Sequence, residues 1–115
     1  MSPQEHSVLE DLFGSGVTEI IEAGTRLVVL PSVSLPAGCK PDSAMGIFVP
    51  QQYLGYTTRL FLDSPVTLKS GMQPATTTAV LLGRTMYAAS INQVPADLPL
   101  HQGILAHLRR YEYPN

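Results

Sequence analysis

Apolar positions in this chain repeat first at helical spacing, then at strand spacing, and finally at helical spacing again. Near the start, Val8, Leu9, Leu12 and Phe13 fall on one face of a helix. Ser2 and Glu5 frame an S-x-x-E capping box, Pro3 suits the first helical position, and Gly14 supplies a stop. Four strand-like runs follow: "VTEIIEAG", "RLVVLPSVSL", "AMGIFVP" and "TTRLFLD". In the fourth, Leu60 and Leu62 share a face opposite Arg59, Phe61 and Asp63, the period of two expected of a strand. Ala23-Gly24-Thr25 reads as a tight hairpin between the first two runs. Pro31, Pro36, Pro41, Pro50 and Pro65 are expected at or near run ends, where a residue without an N–H harms a ladder least.

From Ser64 to Ser90 the pattern weakens, and its one apolar run is Ala79 to Leu82. This stretch reads as a long excursion with a single short strand or extended segment. Excursions of that length inside a compact domain are often functional. Beyond it, Pro95, Asp97 and Pro99 can start a last helix with Ile104, Leu105, Leu108 and Tyr111 on one face. His107, Arg109 and Arg110 in its final turns suit the helix dipole, while Gly103 is expected to cost about 1 kcal/mol. The order predicts an α+β domain over residues 1–115: a four-stranded antiparallel meander between an N-terminal and a C-terminal helix.

Composition narrows the function classes. The length of 115 residues suits one domain, and only 14% of residues are charged, which leaves uncharged surface for a partner. Net charge is −2 with no basic run, which argues against nucleic acid. A single cysteine, Cys39, rules out an internal disulfide and fits a reducing compartment. The first residues, "MSPQEHSVLED", do not resemble a secretory signal, and no apolar stretch approaches the roughly 20 residues of a membrane span. A cytoplasmic protein without a membrane partner is the expectation.

The segment "LPAGCKPDSAMGIFVPQQYLGYTTRLFLDSPV" resembles the middle of the bacterial E2-like proteins called prokaryotic E2 family E, of the ubiquitin-conjugating (E2/UBC) fold. The matching pieces are Leu35-Pro36-Ala37-Gly38, Val49-Pro50-Gln51-Gln52-Tyr53 and Leu62-Asp63-Ser64-Pro65. Further on, "GRTMYAAS" is similar to that family's G-R-x-(aromatic)-x-x-W-S segment, and "LPLHQGILAHLRRYE" to its closing helix. The resemblance covers about Val17 to Glu112. It implies an E2-like component of a bacterial ubiquitin-like conjugation pathway. The partners would be an E1-like adenylating enzyme and a ubiquitin-like carrier protein. No cofactor or metal is implied, since ATP is used at the E1 step.

Two departures bear on mechanism. The His-Pro-Asn tripeptide and following cysteine of ordinary E2 enzymes are absent, and Cys39 lies far earlier, where relatives carry tyrosine. Where the family continues Ser-Arg-His, Ser90 is followed by Ile91 and Asn92. Cys39 has only Lys40 as an adjacent cation to lower its pKa and reads as an inert turn residue. Ser90 is the sharper candidate, because a hydroxyl activated by a base or by dipoles can hold an acyl group as an oxyester. Asn92 could then steady the oxyanion and Tyr87 could line the approach; the plain alternative is that Ser90 merely ends a loop.

His6, His101 and His107 lie on helices and do not form a metal set; they read as solvent-facing or helix-terminal. Glu10, Asp11, Glu19 and Glu22 lack a catalytic partner in the pattern. No phosphate-binding loop or G-x-S-x-G elbow occurs. In E2-like proteins the first helix faces the E1 enzyme, which would make His6, Glu10 and Asp11 the partner-binding residues. Two functions follow from the resemblance: acceptance of the carrier on Ser90, or a non-catalytic E2-like scaffold that binds the E1-like enzyme or the carrier.

Overall fold

Eight of the ten residues in the chain's longest strand, Thr25–Ser34, have a partner in a neighbouring strand, and Val28 and Val29 have one on each side. The computed structural model describes residues 1–90 and 93–112. Its elements are α1 (Pro3–Phe13), β1 (Thr18–Glu22), β2 (Thr25–Ser34), β3 (Ser43–Val49), β4 (Arg59–Leu62), β5 (Thr76–Leu81), β6 (Arg84–Ala89) and α2 (Leu100–Arg110). The strands form one antiparallel sheet in the order β1-β2-β3-β4-β6-β5. The α+β class and the β1–β4 meander are as the pattern predicts.

The sheet has six strands among the described residues, not four. The excursion after β4 is a regular hairpin, with Thr76 paired to Ala89 at one end and Leu81 to Arg84 at the other. Its β5 half begins Thr76-Thr77-Thr78, polar by composition but β-branched and therefore suited to a pleated strand. Leu82 and Gly83 form the turn with φ of 53° and 76°, the left-handed pair a two-residue hairpin requires. Ala23 and Gly24 do the same between β1 and β2, at 51° and 79°. Pro31 lies inside β2 rather than at its end, and the pairing with β3 shifts register between Leu30 and Val33. A bulge there accommodates the residue that cannot donate.

Both faces of the central strands are dry. On the helix side, Leu9 and Phe13 of α1 and Leu100, Ile104 and Leu108 of α2 pack on Val28, Leu30, Phe48, Leu60 and Leu62. On the other side, Leu27, Ile47, Val49, Phe61, Leu81, Met86 and Ala88 form a second core. Alternate residues of β2, β3 and β4 thus enter different cores, which is why these strands read as unbroken apolar runs. Burying each large side chain contributes roughly 1.5–3 kcal/mol. The second core is enclosed by the curl of the sheet: the Glu22 carboxylate at the end of β1 accepts from the Leu82 N–H at 3.1 and 3.2 Å.

The helices differ from expectation in detail. Ser2 and Glu5 form the predicted capping box. Only Leu9 and Phe13 of the expected α1 face are buried, however, and Val8 and Leu12 are exposed. In α2, Leu105 is exposed while Ile104, Leu108 and Tyr111 are buried. Gly103 has a packing role, because a Cβ there would meet the Phe48 ring at 3.0 Å. His107 is in the last turn of α2, as one of the two expectations had it, but it is buried and not solvent-facing.

Candidate functional site

The N-terminal end of β4 and the C-terminal end of β6 lie at the same end of the sheet, because the two strands are antiparallel neighbours. Thr58 and Arg59 there, with His107 of α2, are the buried polar or charged side chains among the described residues. Arg59 is 1% exposed, and the alternation of β4 puts it on the face opposite Leu60 and Leu62. Its side chain follows that alternation to the same side as Phe61, with its guanidinium 3.9 Å over the Tyr56 ring and 5.6 Å from Phe61. Nη2 donates to the Ala88 carbonyl at 3.3 Å, and Nη1 is buried without a partner among the described residues. Burial lowers the Arg59 pKa, with nearby Tyr56 and Tyr111 opposing that shift. The group nonetheless stays cationic, since guanidinium is protonated far above neutral pH.

One residue earlier, the chain turns its polar group to the opposite face. Thr58 Oγ1 donates to the Val94 carbonyl at 3.1 Å and lies 2.8 Å from His107 Nε2. A hydroxyl has one proton, so once it is given to Val94 the oxygen accepts from His107, and the imidazole is the neutral Nε2–H form. Burial, then the positive charges of Arg59 and Arg110, push the His107 pKa down to about 4. Phe48 meets the same ring edge-on at 5.8 Å. Beside them, burial raises Tyr111 to about 12, with the Ala89 backbone offsetting part of the shift. Thr57 stitches the segment closed: its N–H donates to Gln93 Oε1 at 2.8 Å and its hydroxyl donates to the Val94 carbonyl at 2.6 Å.

Ser90 follows β6 at this end. Its N–H donates to the Ala75 carbonyl at 2.7 Å, and its Oγ lies 3.2 Å from Thr77 Oγ1. The hydroxyl is therefore paired with a second hydroxyl, and with no imidazole or carboxylate among the described residues. Tyr87 lies three residues back along the strand, so the two side chains leave opposite faces. It shares a small crevice with Ser64, Pro65, Pro74 and Tyr111 on the helix side. Asn92, the third residue of the expected catalytic set, lies outside the described residues.

The expected partner-binding residues divide in a similar way. His6 Nε2 is 2.9 Å from the Val17 carbonyl and 3.7 Å from Glu10 Oε2. Glu10 Oε2 also accepts from the Gly16 N–H at 2.8 Å. Both side chains thus brace the turn from α1 into β1, and Asp11 alone of the three is fully exposed. Cys39 is buried on the wall of a cleft of about 680 Å³, shared with Pro36, Leu68, Lys69, Tyr111 and Glu112. Burial raises its thiol pKa, and a hydrogen bond from the Lys69 backbone offsets only part of the shift. A thiol in that state is a poor nucleophile.

No cluster of three or more His, Cys, Asp and Glu side chains able to hold a metal occurs among the described residues. No described helix is long and apolar enough to cross a membrane. Against known proteins, the chain matches no family model, no curated protein and no solved structure. Sequence reasoning missed Arg59 and the Thr58–His107 pair. The signal for Arg59 was its place two residues before Phe61 and close behind Tyr53 and Tyr56, aromatic faces on which a guanidinium can lie.

Proposed function

We propose that this chain is an E2-like component of a bacterial ubiquitin-like conjugation pathway. In this proposal it binds the E1-like enzyme or the carrier without forming a covalent bond to either. The state of the two candidate nucleophiles carries the non-catalytic half of the proposal. Ser90 Oγ is paired with Thr77 Oγ1, and the Cys39 thiol is buried with a raised pKa. Neither group is poised to attack a thioester. The E2-like half draws support from the positions of the resembling segments. Leu35-Pro36-Ala37-Gly38 follows β2, Val49 ends β3, Leu62 ends β4 with Asp63-Ser64-Pro65 after it, and Gly83 leads into β6 at Arg84. An N-terminal and a C-terminal helix pack on the same face of the meander. Val8, Asp11 and Leu12 on α1 are exposed and available to an E1-like partner.

A second reading, transfer of the carrier to Ser90, is favoured by one observation. The Arg59 guanidinium is on the β6 side of β4 and bonds the Ala88 carbonyl, two residues before Ser90. A cation there would stabilise the oxyanion formed as the Ser90 hydroxyl attacked the E1 thioester, lost its proton and released the E1 thiol. Gel filtration with the E1-like enzyme, the carrier and ATP tests the preferred reading. Co-elution of this chain with one of the two is the expected result. A folded chain that elutes alone in every combination overturns it.

A further inference from the structure

The two edges of the sheet are built differently. β1 presents Glu19 and Glu22, with Glu19 in an ion pair with Arg26. β5, at the other edge, is Thr-Thr-Thr-Ala-Val-Leu: no charge, no proline and an unbroken register to β6. Charges, prolines and bulges are the devices that keep edge strands from pairing with another chain. β5 has none of them.

The hairpin geometry fixes which of its backbone groups are free. In a two-residue hairpin the closing pair, here Leu81 and Arg84, exchanges hydrogen bonds, and bonded pairs then alternate with unbonded ones. Leu81, Ala79 and Thr77 therefore direct their N–H and C=O groups to β6. The Ser90 N–H on the Ala75 carbonyl at 2.7 Å continues the same phase. Thr76, Thr78 and Val80 direct theirs outward, and β5 pairs with no strand other than β6. No other backbone group among the described residues bonds to them. The next outward donor, the Leu82 N–H, is taken by Glu22. The free run is thus Thr76 to Val80, with Val80 68% exposed.

That run is complementary to itself. We propose that the β5 edge is a homodimer interface, in which a second copy adds its own β5 antiparallel about a two-fold axis at Thr78. Thr78 would then face the partner subunit's Thr78, and Thr76 the partner subunit's Val80, each pair exchanging two backbone hydrogen bonds. β-branched side chains would meet on the outer face, an arrangement that favours sheet pairing. With no charge in β5, nothing repels a copy of the same sequence. A two-fold contact of this kind closes on itself and does not propagate into fibres. The proposal is independent of the role in conjugation.

Sedimentation equilibrium from roughly 10 to 300 µM tests it, a range suited to a small interface. The mass is expected to rise from 12.4 kDa toward twice that value. Thr78→Pro removes an outward N–H that β6 does not use, so the fold is retained and the dimer is lost. Thr78→Lys sets two like charges across the axis and is expected to raise the dissociation constant at least about tenfold, most strongly at low salt. Circular dichroism and thermal melts report whether each variant is folded. A wild type that stays monomeric throughout, including one that binds only a strand from another protein, overturns the proposal. So does a dimer that survives both substitutions.

Discussion

On the helix-covered face of the sheet, the buried polar groups at the β4 end are neutral, and they satisfy one another. Thr58 gives its proton to Val94 and accepts from His107, and burial keeps the imidazole uncharged. On the opposite face, one residue along, Arg59 remains a cation with one nitrogen bonded to Ala88, another without a partner and an aromatic ring beneath it. A titratable group can discharge to suit a dry site, whereas a guanidinium cannot. The helix face should therefore respond to protons and the other face should respond to removal of charge.

The largest effect is expected from His107. Its pKa is about 4 when folded and ordinarily 6.5. Above 6.5 the imidazole is neutral in both states and pH has no effect through it. As pH falls from 6.5 toward 4, the unfolded chain takes the proton and the folded chain does not. Stability should thus fall by roughly 3 kcal/mol over that window. Urea melts at about pH 7.5 and about pH 4.5 should show most of that loss, and His107→Gln should show little of it. Parallel behaviour of the two proteins would mean that His107 is not held neutral.

Thr58→Val breaks the same pair without touching a charge. It leaves the His107 N–H buried without an acceptor, at an expected cost of about 2 kcal/mol in the urea midpoint analysis. A cost below about 0.5 kcal/mol would show that the hydrogen bond contributes nothing net. The smallest effect belongs to the other face. Arg59→Met removes a desolvated charge and keeps the length of the side chain, so stability should hold or rise by up to about 1 kcal/mol. Arg59→Lys should be the worse substitution, since a compact ammonium is harder to desolvate and cannot lie flat on Tyr56. A loss above about 2 kcal/mol in Arg59→Met would show that the cation has a partner that stabilises it.

How far the sequence reveals this architecture depends on the element. α1 announces itself through Ser2, Pro3 and Glu5, and the first hairpin through Ala23-Gly24, because caps and left-handed turns need particular residues. The second hairpin does not, although Leu82-Gly83 has the same form as Ala23-Gly24, because its strand begins with three threonines and shows only a short apolar run. Curling is equally hidden. Glu22 and Leu82 are 60 positions apart, and no local pattern predicts their contact. At the candidate site, Ser90 was legible as a residue but its pairing with Thr77 was not, since the pairing depends on the hairpin. Arg59 was legible as sharing a face with Phe61, but its burial was not, because alternation alone does not say which faces are covered.

The intact mass of this chain after incubation with the E1-like enzyme, the carrier and ATP tests the non-catalytic proposal most directly. The prediction is that its mass stays at 12.4 kDa while a non-covalent complex forms. A chain that gains the carrier's mass, loses it in hydroxide and fails to gain it as Ser90→Ala would contradict the account.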